Sequence, residues 1–306
     1  MSDLTTTIAG LRMTTPVVLA SGAVGYGHEY EGLIDFAAVG AIVTKTITPA
    51  PRPGNAPPRI CETAGGMLNS IGLENVGLAA FLESELPRAA GLGAPVVASV
   101  AGETDEGFGE LTAAVGERDE VAAVELNISC PNVERRATPL WADATRVADI
   151  VVAARARTGK PILVKLSPNV TDAVPVALAA ESAGADALVV ANTMPGMRID
   201  TERMAPALGN TTGGLSGAAL LPINLALVWK VAGAVSIPIV GSGGVRAVDD
   251  ALEYLLAGAV AVQVGTALFT EPDTPRRIAD GLRRRMKEEG VADVAEYVGR
   301  AREYAT

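Results

Sequence analysis

Residues 238–266, PIVGSGGVRAVDDALEYLLAGAVAVQVGT, hold one complete structural unit. PIVGSG at 238–243 and AVQVGT at 261–266 are short apolar runs that give way to glycine, and the stretch 246–257 between them has helical spacing. A strand, a helix and a second strand in so short a span make a βαβ unit. Strands that are apolar almost throughout, rather than alternately, belong to a parallel sheet covered on both faces. The two runs end in Gly241-Ser242-Gly243-Gly244 and in Gly265-Thr266, so each strand would deliver glycine-rich backbone to the same edge of the sheet.

The same alternation extends back to the start of the chain. Further runs lie at 17–22 (VVLASG), 41–46 (AIVTKT), 95–101 (PVVASVA), 123–129 (AVELNIS), 161–167 (PILVKLS) and 187–193 (ALVVANT). Together with the first two they give eight strands, the number a closed barrel requires. Helical spacing occupies 29–38, 76–90, 105–117, 141–157, 172–183, 220–233, 246–257 and 274–288, with one more stretch at 292–303. The expected fold is α/β, a (β/α)8 TIM barrel with an extra C-terminal helix, formed as one domain over 1–306. Composition agrees: 49% of residues are apolar and only 4% aromatic, as suits an interior layered with Ala, Val, Leu and Ile rather than a sandwich core. Two connections, 47–74 and 194–219, are too long and too rich in Gly and Pro for simple turns. Both follow strands, which puts them on the C-terminal face, where barrel active sites sit.

Charge and inventory exclude several classes. With 35 acidic and 25 basic residues the net charge is −10, and the one basic cluster is Arg283, Arg284 and Arg285, so neither nucleic acid nor an anionic membrane is an expected partner. The start, MSDLTTTIAGLRM, lacks the basic, apolar pattern of a signal peptide, and a cytoplasmic protein is expected. Two cysteines, Cys61 and Cys130, and one histidine, His28, supply neither a four-thiolate cluster nor a multi-histidine metal site. The run GSGGVR has Arg246 where the dinucleotide fingerprint needs its last glycine, so NAD is not expected on this chain.

Polar residues gather where the strands end: Thr44, Lys45 and Thr46; Glu125, Asn127, Ser129 and Cys130; Lys165; Asn192 and Thr193. Lysine is seldom buried alone. Lys45 and Lys165 inside apolar strands therefore either pair with a buried carboxylate such as Glu125 or face an anionic ligand at the barrel mouth. Cys130 is either a buried inert thiol or, at a strand-to-loop boundary ahead of Pro131 and Asn132, a general base for a carbon acid.

In order along the chain, TKT at 44–46, MLNSIGLEN at 67–75, NISCPN at 127–132, VKLSPNV at 164–170, ANT at 191–193, GSGG at 241–244 and VGTALF at 264–269 resemble the family-1 dihydroorotate dehydrogenases. The start ASGAVGYGHEY at 20–30 is similar to the class 1B subgroup. The resemblance implies oxidation of dihydroorotate to orotate in pyrimidine biosynthesis, with Cys130 as base at C5 and FMN as acceptor. It also implies electron transfer to NAD through a separate subunit carrying FAD and a [2Fe-2S] cluster, in a heterotetramer around a homodimer core. By the same resemblance Lys45, Asn69, Asn127, Asn132, Asn192 and Thr193 hold the substrate, helped by the backbone of Ser70, Ile71, Gly72 and Leu73. FMN falls to Ser21, Lys45, Thr46, Ser99, Asn127, Lys165, Ala191, Gly217, Gly243, Gly244, Gly265 and Thr266. A carboxylate and an imide-like edge suit one cation and several amide side chains. The chain departs from the family pattern in the loop VERRATPLWAD at 133–143, which replaces a usual glycine pair and is expected to form the lid, and at Ser99 and Ala191. The other readings are a fumarate-using class 1A enzyme and a non-catalytic flavin- or phosphate-binding barrel.

Overall fold

Each apolar run forms one parallel strand of a closed barrel, in chain order: β1 (Val17–Leu19), β2 (Ala41–Val43), β3 (Val96–Val100), β4 (Val121–Asn127), β5 (Ile162–Lys165), β6 (Ala187–Val190), β7 (Ile239–Ser242) and β8 (Ala261–Val264). β8 pairs back onto β1 with Gln263 opposite Val18. The computed structural model describes residues 3–129 and 139–304. Along β1, Val17 and Leu19 pack outward against the helices while Val18 points in; Ile162 and Val164 of β5 face out and Leu163 in. The same strands thus build two cores, one between barrel and helices and one inside the barrel, which is why their sequences are apolar without alternation.

Helices follow the strands at Asp105–Gly116, Ala144–Arg155, Val174–Ser182, Leu221–Ala232, Val248–Ala257 and Thr274–Glu289. Side chains start two of them: Thr104 accepts from Gly107 N at 3.0 Å, and Asp143 from Thr145 N and Arg146 N at 3.1 and 3.2 Å. The stretch expected as one helix at 76–90 is Gly77–Ala80 and Leu86–Ala90, joined by a π turn at Phe81–Glu85. Among the described residues no helix is long and apolar enough to cross a membrane.

Two expected helices are corrected. The segment 29–38 is a pair of 3-10 turns, His28–Tyr30 and Phe36–Ala38, because Glu31 leaves helical geometry and the Asp35 carboxylate captures Ala37 N to start a new turn. The extra C-terminal helix is likewise two 3-10 turns, Val294–Tyr297 and Arg300–Tyr304. Gly299 between them has φ of 75°, a left-handed conformation at which a helix stops.

The sequence reading also passed over three sheets, the smallest being Ile199–Asp200 with Ala205–Pro206. An N-terminal hairpin, Thr6–Ile8 with Leu11–Met13, turns through Ala9 and Gly10 at positive φ and places Ile8 and Met13, each 1% exposed, in the barrel's inner core. They pack with Ala41, Ala187 and Ala261, the first residues of their strands, and so close the N-terminal end of the barrel. At the opposite end the two long connections fold into one antiparallel sheet of four strands, ordered Met194–Gly196, Gly213–Ser216, Gly66–Asn69 and Ile60–Thr63.

Candidate active site

Above the apolar inner core the strand ends turn polar, and their side chains form one directed chain of hydrogen bonds. Asn192 Nδ2 donates to Ser129 Oγ, which donates to Asn127 Oδ1 at 2.9 Å; Asn127 Nδ2 donates to Thr46 Oγ1 at 3.0 Å. Thr46 and Ser99 hydroxyls lie 3.0 Å apart, and Ser99 Oγ donates to Glu125 Oε1 at 3.3 Å. From the other side Lys165 Nζ donates to Gln263 Oε1 at 3.2 Å, and Gln263 Nε2 to Glu125 Oε2 at 3.0 Å. Two arms of donors therefore converge on the carboxylate of Glu125, which is wholly buried; Lys165 and Gln263 are 6% and 2% exposed. Neither lysine forms an ion pair with Glu125 among the described residues, so direct pairing does not account for their burial. Lys165 reaches Glu125 only through Gln263. Lys45 sits apart, with burial pushing its pKa below the ordinary lysine value, the Glu74 carboxylate opposing that and Arg59 adding to it.

The loop after β2 carries the next group. Asn69 ends its strand and donates to Gly214 O at 3.3 Å. The following turn passes through Gly72 and Leu73 at φ of 75° and 56° and is held from both sides. Asn55 Nδ2 donates to Ser70 O at 3.0 Å, while buried Asn75 accepts from Thr48 N and Gly77 N and donates to Leu73 O. Such bracing preorganises a backbone for a ligand.

At the ends of β7 and β8 the backbone is bare. A Cβ on Gly244 would lie 2.7 Å from Leu221 N, and one on Gly243 2.4 Å from the Asn224 amide. The loop is pinned by Asn224 Nδ2 to Ser242 O at 2.7 Å and by Tyr254 OH to Gly243 O at 2.8 Å. Glycine backbone after the seventh and eighth strands is where barrels cradle phosphate.

These groups share one cavity of about 1860 Å³ at the barrel mouth. A single drug-sized ligand occupies roughly 300–1,000 Å³, so the cavity has room for two ligands side by side. Its wall includes Ser21, Lys45, Thr46, Asn69, the 70–73 turn, Asn127, Lys165, Ala191, Asn192, Thr193, Gly217, Gly243, Gly244, Gly265 and Thr266.

A family profile, dihydroorotate dehydrogenase, matches residues 3–286. The chain belongs to the dihydroorotate dehydrogenase family. A curated protein of Pelobacter propionicus, named dihydroorotate dehydrogenase B (NAD(+)), catalytic subunit, is 48% identical over 297 residues, covering 97% of this chain and 98% of its own. Proteins of the same name from Trichlorobacter lovleyi and Geobacter sulfurreducens are each 48% identical, over 95% and 97% of this chain and 96% and 97% of theirs.

Of the residues that the likeness to dihydroorotate dehydrogenases singled out, Cys130 and Asn132 lie outside the described residues, as does the 133–138 part of the expected lid. The rest of that loop begins with a 3-10 turn at Leu140–Ala142, whose Trp141 lines the cavity. Ser99 is fully buried and stands beneath Thr46 rather than on the cavity wall. The sequence reading missed Gln263 and gave no role to Ser129 or Asn169. Asn169 Nδ2 donates to Thr193 O and Ser167 Oγ, both at 3.1 Å, and so ties β5 to β6 at the mouth. Gln263 carried a signal, as a polar residue in the middle of AVQVGT.

Proposed function

We propose that this chain oxidises dihydroorotate to orotate with bound FMN, and that its electrons reach NAD through an iron–sulfur flavoprotein subunit. The observation that carries the reading is the single cavity with a glycine cradle at one end and Lys45, Asn69, Asn127 and Asn192 around the other. The cradle, where a Cβ would collide with backbone, fits a phosphate, and Lys165 at the wall fits the electron-rich edge of a flavin ring. FMN, when bound, supplies the acceptor for the electron pair and hydrogen leaving C6. Ser21, Thr46, Lys165, Gly217, Gly243, Gly244, Gly265 and Thr266 would hold it.

The chain's own work is recognition and proton transfer. Lys45, kept in a partly desolvated wall, attracts the substrate carboxylate more strongly than an ammonium in water does. The amides of Asn69, Asn127 and Asn192 each offer a donor and an acceptor to the imide edge. Cys130 as thiolate takes the proton from C5, and orotate leaves with the new double bond. The names of the relatives support an NAD-linked complex in which this chain is one subunit.

Anaerobic mixing tests both parts. Purified chain should be yellow, release FMN on denaturation and bleach with dihydroorotate. The bleached protein should form NADH only after the flavoprotein subunit is added. A colourless protein, or a yellow one that dihydroorotate does not bleach, would refute the activity. Rapid reoxidation of the isolated chain by fumarate would refute the partner.

A further inference from the structure

We propose that Glu125 is a positioning residue: from beneath the cavity it sets the donor direction of both arms, one ending at the flavin through Lys165 and the other at the substrate through Asn127. The inference rests on the reading that the barrel holds FMN and dihydroorotate.

The argument is one of hydrogen-bond polarity. A carboxylate only accepts, a lysine only donates, and an amide does each at one end. Between Lys165 and Glu125 only one orientation of Gln263 satisfies both neighbours, with Oε1 toward the ammonium and Nε2 toward the carboxylate. On the other arm, Ser99 spends its proton on Glu125, so the hydrogen between the two hydroxyls comes from Thr46, at 3.0 Å to Ser99 and 3.3 Å to Ser21, and Thr46 accepts from Asn127. That turns the Asn127 amide with Nδ2 inward and Oδ1 toward Ser129. Gln263, Ser99, Thr46, Asn127 and Ser129 thus take directions that agree with one acceptor lying off the cavity wall, while Asn192 is fixed separately, its Oδ1 accepting from Thr193 N at 2.8 Å. An uncharged amide at position 125 is both donor and acceptor, so it permits the reversed chain. Gln263 could then turn its NH2 toward Lys165, donor against donor, and the ammonium would lose its anchor in the wall.

The test compares wild type, Glu125→Gln, Gln263→Met and the double variant, each with FMN bound. Two probes are titrated into the flavin absorbance: sulfite, which adds to the ring and reports the positive field around it, and orotate. Gln263→Met should weaken sulfite binding about tenfold, as losing one hydrogen bond to a charged group implies, and leave orotate affinity unchanged. Glu125→Gln should weaken orotate, and its effect on sulfite should be more unfavourable in the wild-type background than in the Gln263→Met background, where the arm is already cut and only the lost negative charge acts. The double variant should bind sulfite no more weakly than Gln263→Met alone, since both changes cut the same arm. If Glu125→Gln lowers thermal stability while both affinities stay at wild-type values, its role is structural only and the proposal falls. Should Glu125→Gln fail to fold, unchanged sulfite affinity in Gln263→Met overturns the flavin arm by itself. Wild-type protein that takes up no FMN would refute the functional reading; FMN-loaded wild type with unmoved variants would refute only the role of Glu125.

Discussion

The two ends of the barrel are made by the same eight strands and are opposites. At the N-terminal end Ile8 and Met13 fill the opening, and the inner layer above them is Val18, Val43, Val97, Leu163, Val189 and Val240. Two residues beyond an inner-core residue of the same strands stand Lys45, Ser99, Glu125, Lys165, Ser242 and Gln263. The first layer stabilises by removing apolar surface from water, at about 25 cal/mol per Å². The second gains little net stability from its hydrogen bonds and would lose much if any were left unmade. Stability and chemistry are therefore separated along the barrel axis, and changes at the two ends should separate likewise.

The largest expected effect is at the mouth. Cys130→Ala should slow flavin reduction by dihydroorotate roughly 10²–10⁴-fold, the range of a lost general base, while FMN content and thermal unfolding stay put. Stopped-flow reduction beside a melting curve reads both, and near-normal reduction would remove Cys130 from the chemistry. At the closed end the pattern should invert. Ile8→Ala should cost about 2–5 kcal/mol in denaturant unfolding and leave turnover per folded molecule unchanged. A loss of turnover there would show that the plug supports the site.

Gly244→Ala falls between the ends of that scale. With φ of 78° and Leu221 N in the way, it should strain the loop by about 1–3 kcal/mol and loosen FMN, which equilibrium dialysis would detect. The smallest effect concerns Lys45. Because burial lowers its pKa, the unfolded chain binds a proton that the folded chain has released at pH values between that lowered pKa and the ordinary lysine value. Across this window stability of the ligand-free protein should rise with pH. Lys45→Met should remove that rise; a slope that survives the substitution would place its origin elsewhere.

The sequence disclosed the strands better than the sheets around them. Buried on both faces, AIVTKT and PILVKLS are continuous apolar runs with a single conspicuous lysine, and both strand and candidate ligand group are visible at once. GMLN at 66–69 and GGLS at 213–216 have no such mark, since glycine, asparagine and serine disfavour strands and only pairing with each other and with the two outer strands makes them extended. Glu125 was visible only as the ion-pair partner in one of two readings of the buried lysines, and nothing in the one-dimensional pattern says that Gln263, 138 positions away, stands between it and Lys165. The C-terminal helix failed for a local reason, a glycine whose left-handed conformation periodicity does not register.

Loops at the mouth of a barrel are commonly exchanged one at a time, as separate cassettes on a fixed frame. Here Leu68 pairs with Leu215 and Asn69 with Gly214, so segments 47–74 and 194–219 form a single cassette supplied in two pieces. Grafting one without the other would leave a sheet edge open and take from Asn69 its partner across the sheet, Gly214. Specificity in this protein should consequently be transplanted, recombined or evolved as a pair of distant segments or not at all.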